Sequence, residues 1–79
     1  MEKRKGPSVT QIVATVRKVV LGTQGYVVTT AQVAYGSITF SLNEDVWNEP
    51  NPPEPGSKVI LQDIRPDPKG WRAYNVRRL

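Results

Sequence analysis

Cysteine and histidine are both missing from this chain of 79 residues. No disulfide framework and no thiolate nucleophile can therefore form, and the usual structural zinc sites are excluded. The core must hold unaided, in a domain so small that folding buries only about 60% of the surface of the extended chain. With histidine and cysteine gone, a general base or nucleophile would have to be a carboxylate, Lys, Ser or Tyr. The acids offer no such constellation: most lie in a proline-rich stretch, and Asp63 and Asp67 near Arg65 read as a turn. A P-loop and a dinucleotide glycine motif are also lacking, GTQGY being a two-glycine turn. The expectation is a protein that is not an enzyme and that uses no metal or cofactor. No stretch reaches the roughly 18 apolar residues of a membrane span, and the opening MEKRKGPS has no apolar signal-peptide region, so a soluble, cytoplasmic protein is expected.

What the chain does have is an uneven distribution of charge. Eleven Lys and Arg against seven Asp and Glu give a net charge of +4. Residues 1–20 hold five basic side chains and one acid, and residues 58–79 hold six basic and two acidic. The middle, residues 21–57, has no Lys or Arg and carries Glu44, Asp45, Glu49 and Glu54. If the two basic ends lie side by side in the fold they make one face that attracts a polyanion; otherwise the surplus serves solubility.

No internal repeat is visible, and Gly, Pro or β-branched residues interrupt every helical window. The chain reads as all-β. Residues 1–8 form a basic tail, whose KRK at 3–5 is a nucleic-acid arm, a localisation patch or a solubilising segment, and residues 9–79 form one domain. VTQIVATVRKVVLG, residues 9–22, is long for a strand and is expected to bend or bulge. YVVTTAQVA and SITFSL follow, after a TQG turn and a turn at Gly36, as a three-strand meander. The acidic, proline-rich NEDVWNEPNPPEPGS, residues 43–57, suits no central strand and is a long loop. KVILQDI, residues 58–64, is a fourth strand, RPDPKG a turn, and GWRAYNVRRL a fifth strand, in which Ala73 and Val76 sit three apart, breaking strict alternation and suggesting a local bulge or a strand end. Five short strands with one long connection fit a small five-stranded antiparallel OB-type β-barrel, with an SH3-like barrel of similar strand count as the alternative.

ATVRKVV, QGYVV, SITFSL, PGSKVIL and KGWRAYNVRRL together resemble the cold-shock domain, a five-stranded member of the OB-fold group. The likeness runs from about Ile12 to the C-terminus. It is most specific where the family closes with a Gly, an Ala and an Asn-Val pair, spaced as Gly70, Ala73, Asn75 and Val76 are here; Gly56 and Val59 are similar to the family's acidic-Gly-x-x-Val piece. Val16 and Arg17 match a Val-Lys pair, but Lys18 stands where the family has a stacking Trp. Gly25 and Tyr26 match the second-strand motif, while Val27 and Val28 replace its second Gly and Phe, and on the third strand Phe40 is the one aromatic and the family's His is absent. The resemblance implies binding of single-stranded RNA or DNA on a thinned stacking platform.

Candidate nucleic-acid-binding residues follow. Tyr26, Phe40 and Tyr35 belong to the strands that would present aromatic faces to bases; a lone Phe in a small domain usually fills the core, so Phe40 is assigned inside and Tyr26 outside. Arg17 and Lys18 are adjacent and point to opposite faces unless a bulge intervenes. With Lys58, Arg72, Arg77 and Arg78 they are available to phosphates. Trp71 either stacks on a base beside Arg72 or closes the core. Trp47, among acids, is a hydrophobic anchor that is either folded back on the barrel or offered to a protein partner. The prolines of EPNPPEPG are suited to polyproline II, as a stiffened loop or a ligand for aromatic-lined domains. Two readings result: weak, largely sequence-tolerant binding of single-stranded RNA or DNA through Arg17, Lys18, Tyr26, Lys58, Trp71, Arg72 and Arg77, or an OB module that docks a protein partner through the Trp47 loop, 43–57. Neither reading involves a membrane or a small-molecule substrate.

Overall fold

Valine, isoleucine and threonine dominate the segments between the glycine turns, and side chains branched at Cβ sit best on a pleated, half-buried strand. The computed structural model describes residues 11–31 and 36–79, and in it these segments form five strands: β1 (Gln11–Val20), β2 (Tyr26–Thr30), β3 (Ser37–Ser41), β4 (Lys58–Asp67) and β5 (Gly70–Arg78). The tail 1–8 and Tyr35 lie outside the described residues. The strands close into a barrel in the order β1-β2-β3-β5-β4, with β4 returning to β1. This is a small OB-type barrel. β4 is longer than the sequence suggested, because Arg65, Pro66 and Asp67 continue the ladder with β5. Pro66 lies in this extension, beyond the register of β1 with β4, which among the described residues reaches Gln62.

The barrel is not wholly antiparallel. An odd number of strands around a closed ring cannot alternate in direction throughout, so one neighbouring pair must run parallel. That pair is β3 and β5, whose ladder consists of Ile38 with Trp71 and Thr39 with Arg72.

Alternation selects the core: Ala14 and Val16 from β1, Val27 from β2, Ile38 and Phe40 from β3, Val59 and Leu61 from β4, and Ala73 and Val76 from β5 are all buried. Thr29 is also buried, and its hydroxyl donates to the carbonyl of Ile38 at 2.8 Å. The expected irregularity of β1 is a bulge between Val16 and Lys18, where the register against β2 shifts. The spacing of three between Ala73 and Val76 marks neither the bulge nor the strand end expected: Leu61 and Ile64 repeat it on β4, and both strands change facing at one point while their register is kept. Asp63 sits at that point with φ 54°.

Beyond Thr39 and Arg72, the loop 43–57 takes over the seam between β3 and β5. Asn43 organises its first turn, its side-chain oxygen accepting from the amides of Asp45 (3.0 Å) and Val46 (3.2 Å). The amide of Val76 then donates to the carbonyl of Val46 at 2.9 Å, and Trp47 forms a parallel bridge to Val76. Of the two placements expected for Trp47, the structure has the one folded back. Its side chain is 4% exposed, lies against Phe40 with centroids 5.9 Å apart, and donates its indole N–H to the carbonyl of Asn51 at 2.8 Å. Arg78 covers the outer side of the ring, 5.3 Å from its centroid, and reaches Glu49 at 3.6 Å.

Trp47→Ala is expected to lower the stability of the fold by about 3–5 kcal/mol, enough to unfold much of a domain this small. Trp47→Phe keeps most of the packing and loses the bond to Asn51, costing about 1 kcal/mol beyond the change in ring size. Urea unfolding of both variants, followed by circular dichroism, separates the plug from its hydrogen bond.

Candidate nucleic-acid interface

The alternation that sends Ile38 and Phe40 inward sends Thr39 and Ser41 outward, and the same rule places Tyr26 outward on β2. Tyr26 stands opposite Ser41 across the β2–β3 ladder and is 38% exposed. From β5, beyond the parallel seam, Arg72 reaches over and donates to the Ser41 hydroxyl at 2.6 Å. These side chains form the floor of an open groove of about 640 Å³. One rim is the β1–β2 turn, Gly22–Gly25, and the other is the β4–β5 turn, which contributes Asp67 and Lys69.

Gly25 is required by close approach. A Cβ there would lie 2.9 Å from the carbonyl oxygen of Val20 and 3.2 Å from a methyl group of Leu42, while the Gly25 carbonyl accepts from the Leu42 amide at 3.0 Å.

A single outward row crosses the barrel beside this groove. In register, Lys18 of β1 faces Val28 of β2, Val28 faces Thr39 of β3, Thr39 faces Arg72 of β5, and Arg72 faces Arg65 of β4. The β1 bulge produces the first member, because it leaves both Arg17 and Lys18 exposed where an unbroken strand would turn one inward. Two like charges placed opposite each other, as Arg65 and Arg72 are, repel. Asp63 relieves this by gripping the Arg65 guanidinium through two hydrogen bonds of 2.9 Å. That hydrogen bonding, followed by the charge of Asp63, pushes the pKa of Arg65 further up. The ion pairs among the described residues are Arg65 with Asp63 and Arg78 with Glu49, so among those residues no carboxylate is in contact with Lys18, Lys69 or Arg72.

Of the seven residues picked from the sequence, the structure brings Tyr26 and Arg72 into the groove and sets Lys18, with Arg17 next to it, on the adjoining row. It does not bring Lys58, Arg77 or Trp71 to that place. Lys58 begins β4 and donates to Thr15 of β1 at 3.4 Å, nine residues and about 30 Å of strand from Asp67. Arg77 pairs with Ile60, about 16 Å along β5 from Arg72. Trp71 is half-buried, opposite Ile38, and packs against the core, so the lid reading describes its position. Thr39, Ser41 and Lys69 were not singled out from sequence. The alternation of SITFS could have found the first two, whereas Lys69 needed the knowledge that the β4–β5 turn is a rim.

Among the described residues no group of three Asp, Glu, His or Cys side chains is placed to hold a metal ion. The groove offers hydroxyls, amides, one exposed phenol ring, the cations Lys69 and Arg72 and the carboxylate of Asp67, a set suited to a flat, polar ligand. Comparison with known proteins finds no matching family model, no matching curated protein and no matching solved structure. The cold-shock resemblance rests on the residues that carry it.

Gly25→Ala is expected to push the β1–β2 turn away from Leu42, costing about 1–3 kcal/mol of stability. Amide shifts in an NMR spectrum of the variant should concentrate on residues 20–26 and 41–43, marking the rim of the groove.

Proposed function

We propose that the chain binds single-stranded RNA or DNA, weakly and with little sequence preference, along the groove between the β1–β2 and β4–β5 turns. One observation carries this reading: an exposed aromatic ring, Tyr26, shares an open groove with Arg72 and Lys69, two cations with no acidic contact partner among the described residues. Every base has a π-face, so one stacking ring is tolerant of sequence, and phosphates supply the rest through charge. Lys18 and Arg17 extend the positive path on the β1 side. Three cations, Lys18, Lys69 and Arg72, make the affinity dependent on salt, with a slope of log K against log salt of about −2 for a single strand.

The competing protein-docking reading loses its anchor. Trp47 is part of the core, and offering it to a partner would mean withdrawing it from Phe40 and opening the barrel.

NMR titration of the labelled protein with oligo-dT and oligo-U, at low and then physiological salt, tests the proposal. Shifts should cluster on Lys18, residues 22–28, 39–43 and 67–72, and weaken as salt rises. Tyr26→Ala should lose about 1–3 kcal/mol of binding, and Arg72→Ala should both weaken binding and flatten the salt slope by a little under one unit. At physiological salt, where the Debye length is about 8 Å, Arg77→Ala, about 16 Å along β5 from Arg72, should stay within about twofold of the parent. A folded spectrum that does not respond to either oligonucleotide at low salt would reject the proposal.

A further inference from the structure

The cluster formed by Asp63, Arg65 and Tyr74 is unused by the groove just described. Asp63 has a left-handed backbone, φ 54°, at the point where β4 and β5 both change facing. It holds the Arg65 guanidinium through a two-bond fork, Nε to one carboxylate oxygen and a terminal nitrogen to the other, both at 2.9 Å. The guanidinium lies over the Tyr74 ring, 4.8 Å from its centroid. The side chains of Arg65 and Asp63 are 61% and 46% exposed, so the cluster stands in solvent. An ion pair so exposed adds little to folding, and a residue other than glycine in the left-handed region works against it. Stability alone does not account for a planar group fixed in this way.

Three properties of the cluster define what it suits. The guanidinium is flat, has an aromatic ring against one face and a carboxylate at its edge, and belongs to a side chain that is 61% exposed. Its charge is already matched by Asp63, so it draws a phosphate less than Arg72 or Lys69 does. It is also next to the groove: Arg65 is the cross-strand neighbour of Arg72, and Tyr74 lies two residues beyond Arg72 on the outward side of β5. We propose that the outer face of the Arg65 guanidinium, backed by Tyr74 and locked by Asp63, is a second stacking position for a nucleobase, reached by a single strand that crosses from Tyr26 over Arg72. Guanidinium planes serve as stacking surfaces for unpaired bases as aromatic rings do. This inference rests on the proposed nucleic-acid reading and adds a second base to it, on β4 and β5 rather than on β2 and β3.

The test compares two probes on the full chain, an oligo-dT of about three nucleotides and one of about eight, both within reach of a single OB barrel. Arg65→Lys keeps the charge and removes the plane; Tyr74→Ala removes its support. Each variant should bind the longer probe about tenfold more weakly than the parent and the shorter probe within about twofold. Tyr26→Ala should weaken both probes. In the parent, the Arg65 Nε–H and Tyr74 ring resonances should shift with the longer probe and stay in place with the shorter. If Arg65→Lys and Tyr74→Ala bind the longer probe as the parent does while Tyr26→Ala is impaired, the second position is wrong and the groove reading stands. Equal losses on both probes for Arg65→Lys, in a variant whose amide spectrum matches the parent, would likewise overturn a length-dependent second position. If the parent binds neither probe, the groove reading and this inference fall together.

Discussion

The parallel seam between β3 and β5 is the constraint from which the rest of this barrel follows. Five strands in a ring must have one parallel neighbour pair, and here that pair makes a ladder of only two residue pairs. Left alone, the upper part of the seam would open the core to water beside Phe40. The loop after β3 closes it by lending backbone and side chain together: the Val46 carbonyl and Trp47 engage Val76 as a third strand would, and the indole fills the space behind. A chain without cysteine, histidine or a large apolar content has few other means of sealing a barrel. Its longest loop is therefore structural, although its composition reads as a linker.

The same seam shapes the outer surface. Where β3 and β5 do pair, Thr39 and Arg72 sit level, and Arg72 crosses from β5 to Ser41 on β3. This side-chain bridge over the seam's outer face puts a cation beside Tyr26, which belongs to a different sheet neighbour and is distant in sequence. The irregularity at Asp63 and Tyr74 has a comparable effect on β4 and β5. Because both strands change facing at one level, Arg65 and Arg72 are kept on the outside together, and the repulsion between them is answered locally by Asp63.

Strands and turns were legible in the sequence because their signals are local: β-branched runs, glycine at the turns, and prolines that exclude a central strand over residues 43–57. The spacing of Ala73 and Val76 suggested a bulge or a strand end, whereas the strands change facing with their register kept, which only the matching pair Leu61 and Ile64 on β4 reveals. The outward place of both Arg17 and Lys18 depended on a bulge, whose existence the length of the first segment suggested and whose position only pairing with β2 could fix. Charge counting failed at Lys58 and Arg77 for a definite reason. It sees that the last 22 residues are basic, but which cations converge depends on strand order and on distance along β4 and β5. Trp47 was ambiguous because its surroundings in sequence are acidic and polar, while its surroundings in space, Phe40, Val76 and Arg78, come from elsewhere in the chain.

Inside and outside of the seam are thus coupled through a few residues. Phe40 faces Trp47 inward, while Thr39 and Ser41 on either side of it face the groove, so the position of β3 relative to β5 is set by packing on one side and by the Arg72 to Ser41 bond on the other. On the proposed reading, a single strand lying over Tyr26 and Arg72 would span β2, β3 and β5 across the seam with the shortest ladder. Such a ligand would reinforce the closure from outside, where Trp47 already reinforces it from inside. Only the native barrel holds Tyr26 and Arg72 in one groove, since they come together through strand order and not through sequence proximity. Binding energy spent there is therefore also folding energy, by ordinary linkage between a ligand and the state that recognises it. For a domain that holds itself together with one small core, this would join the stability of the fold to the presence of a ligand in that groove.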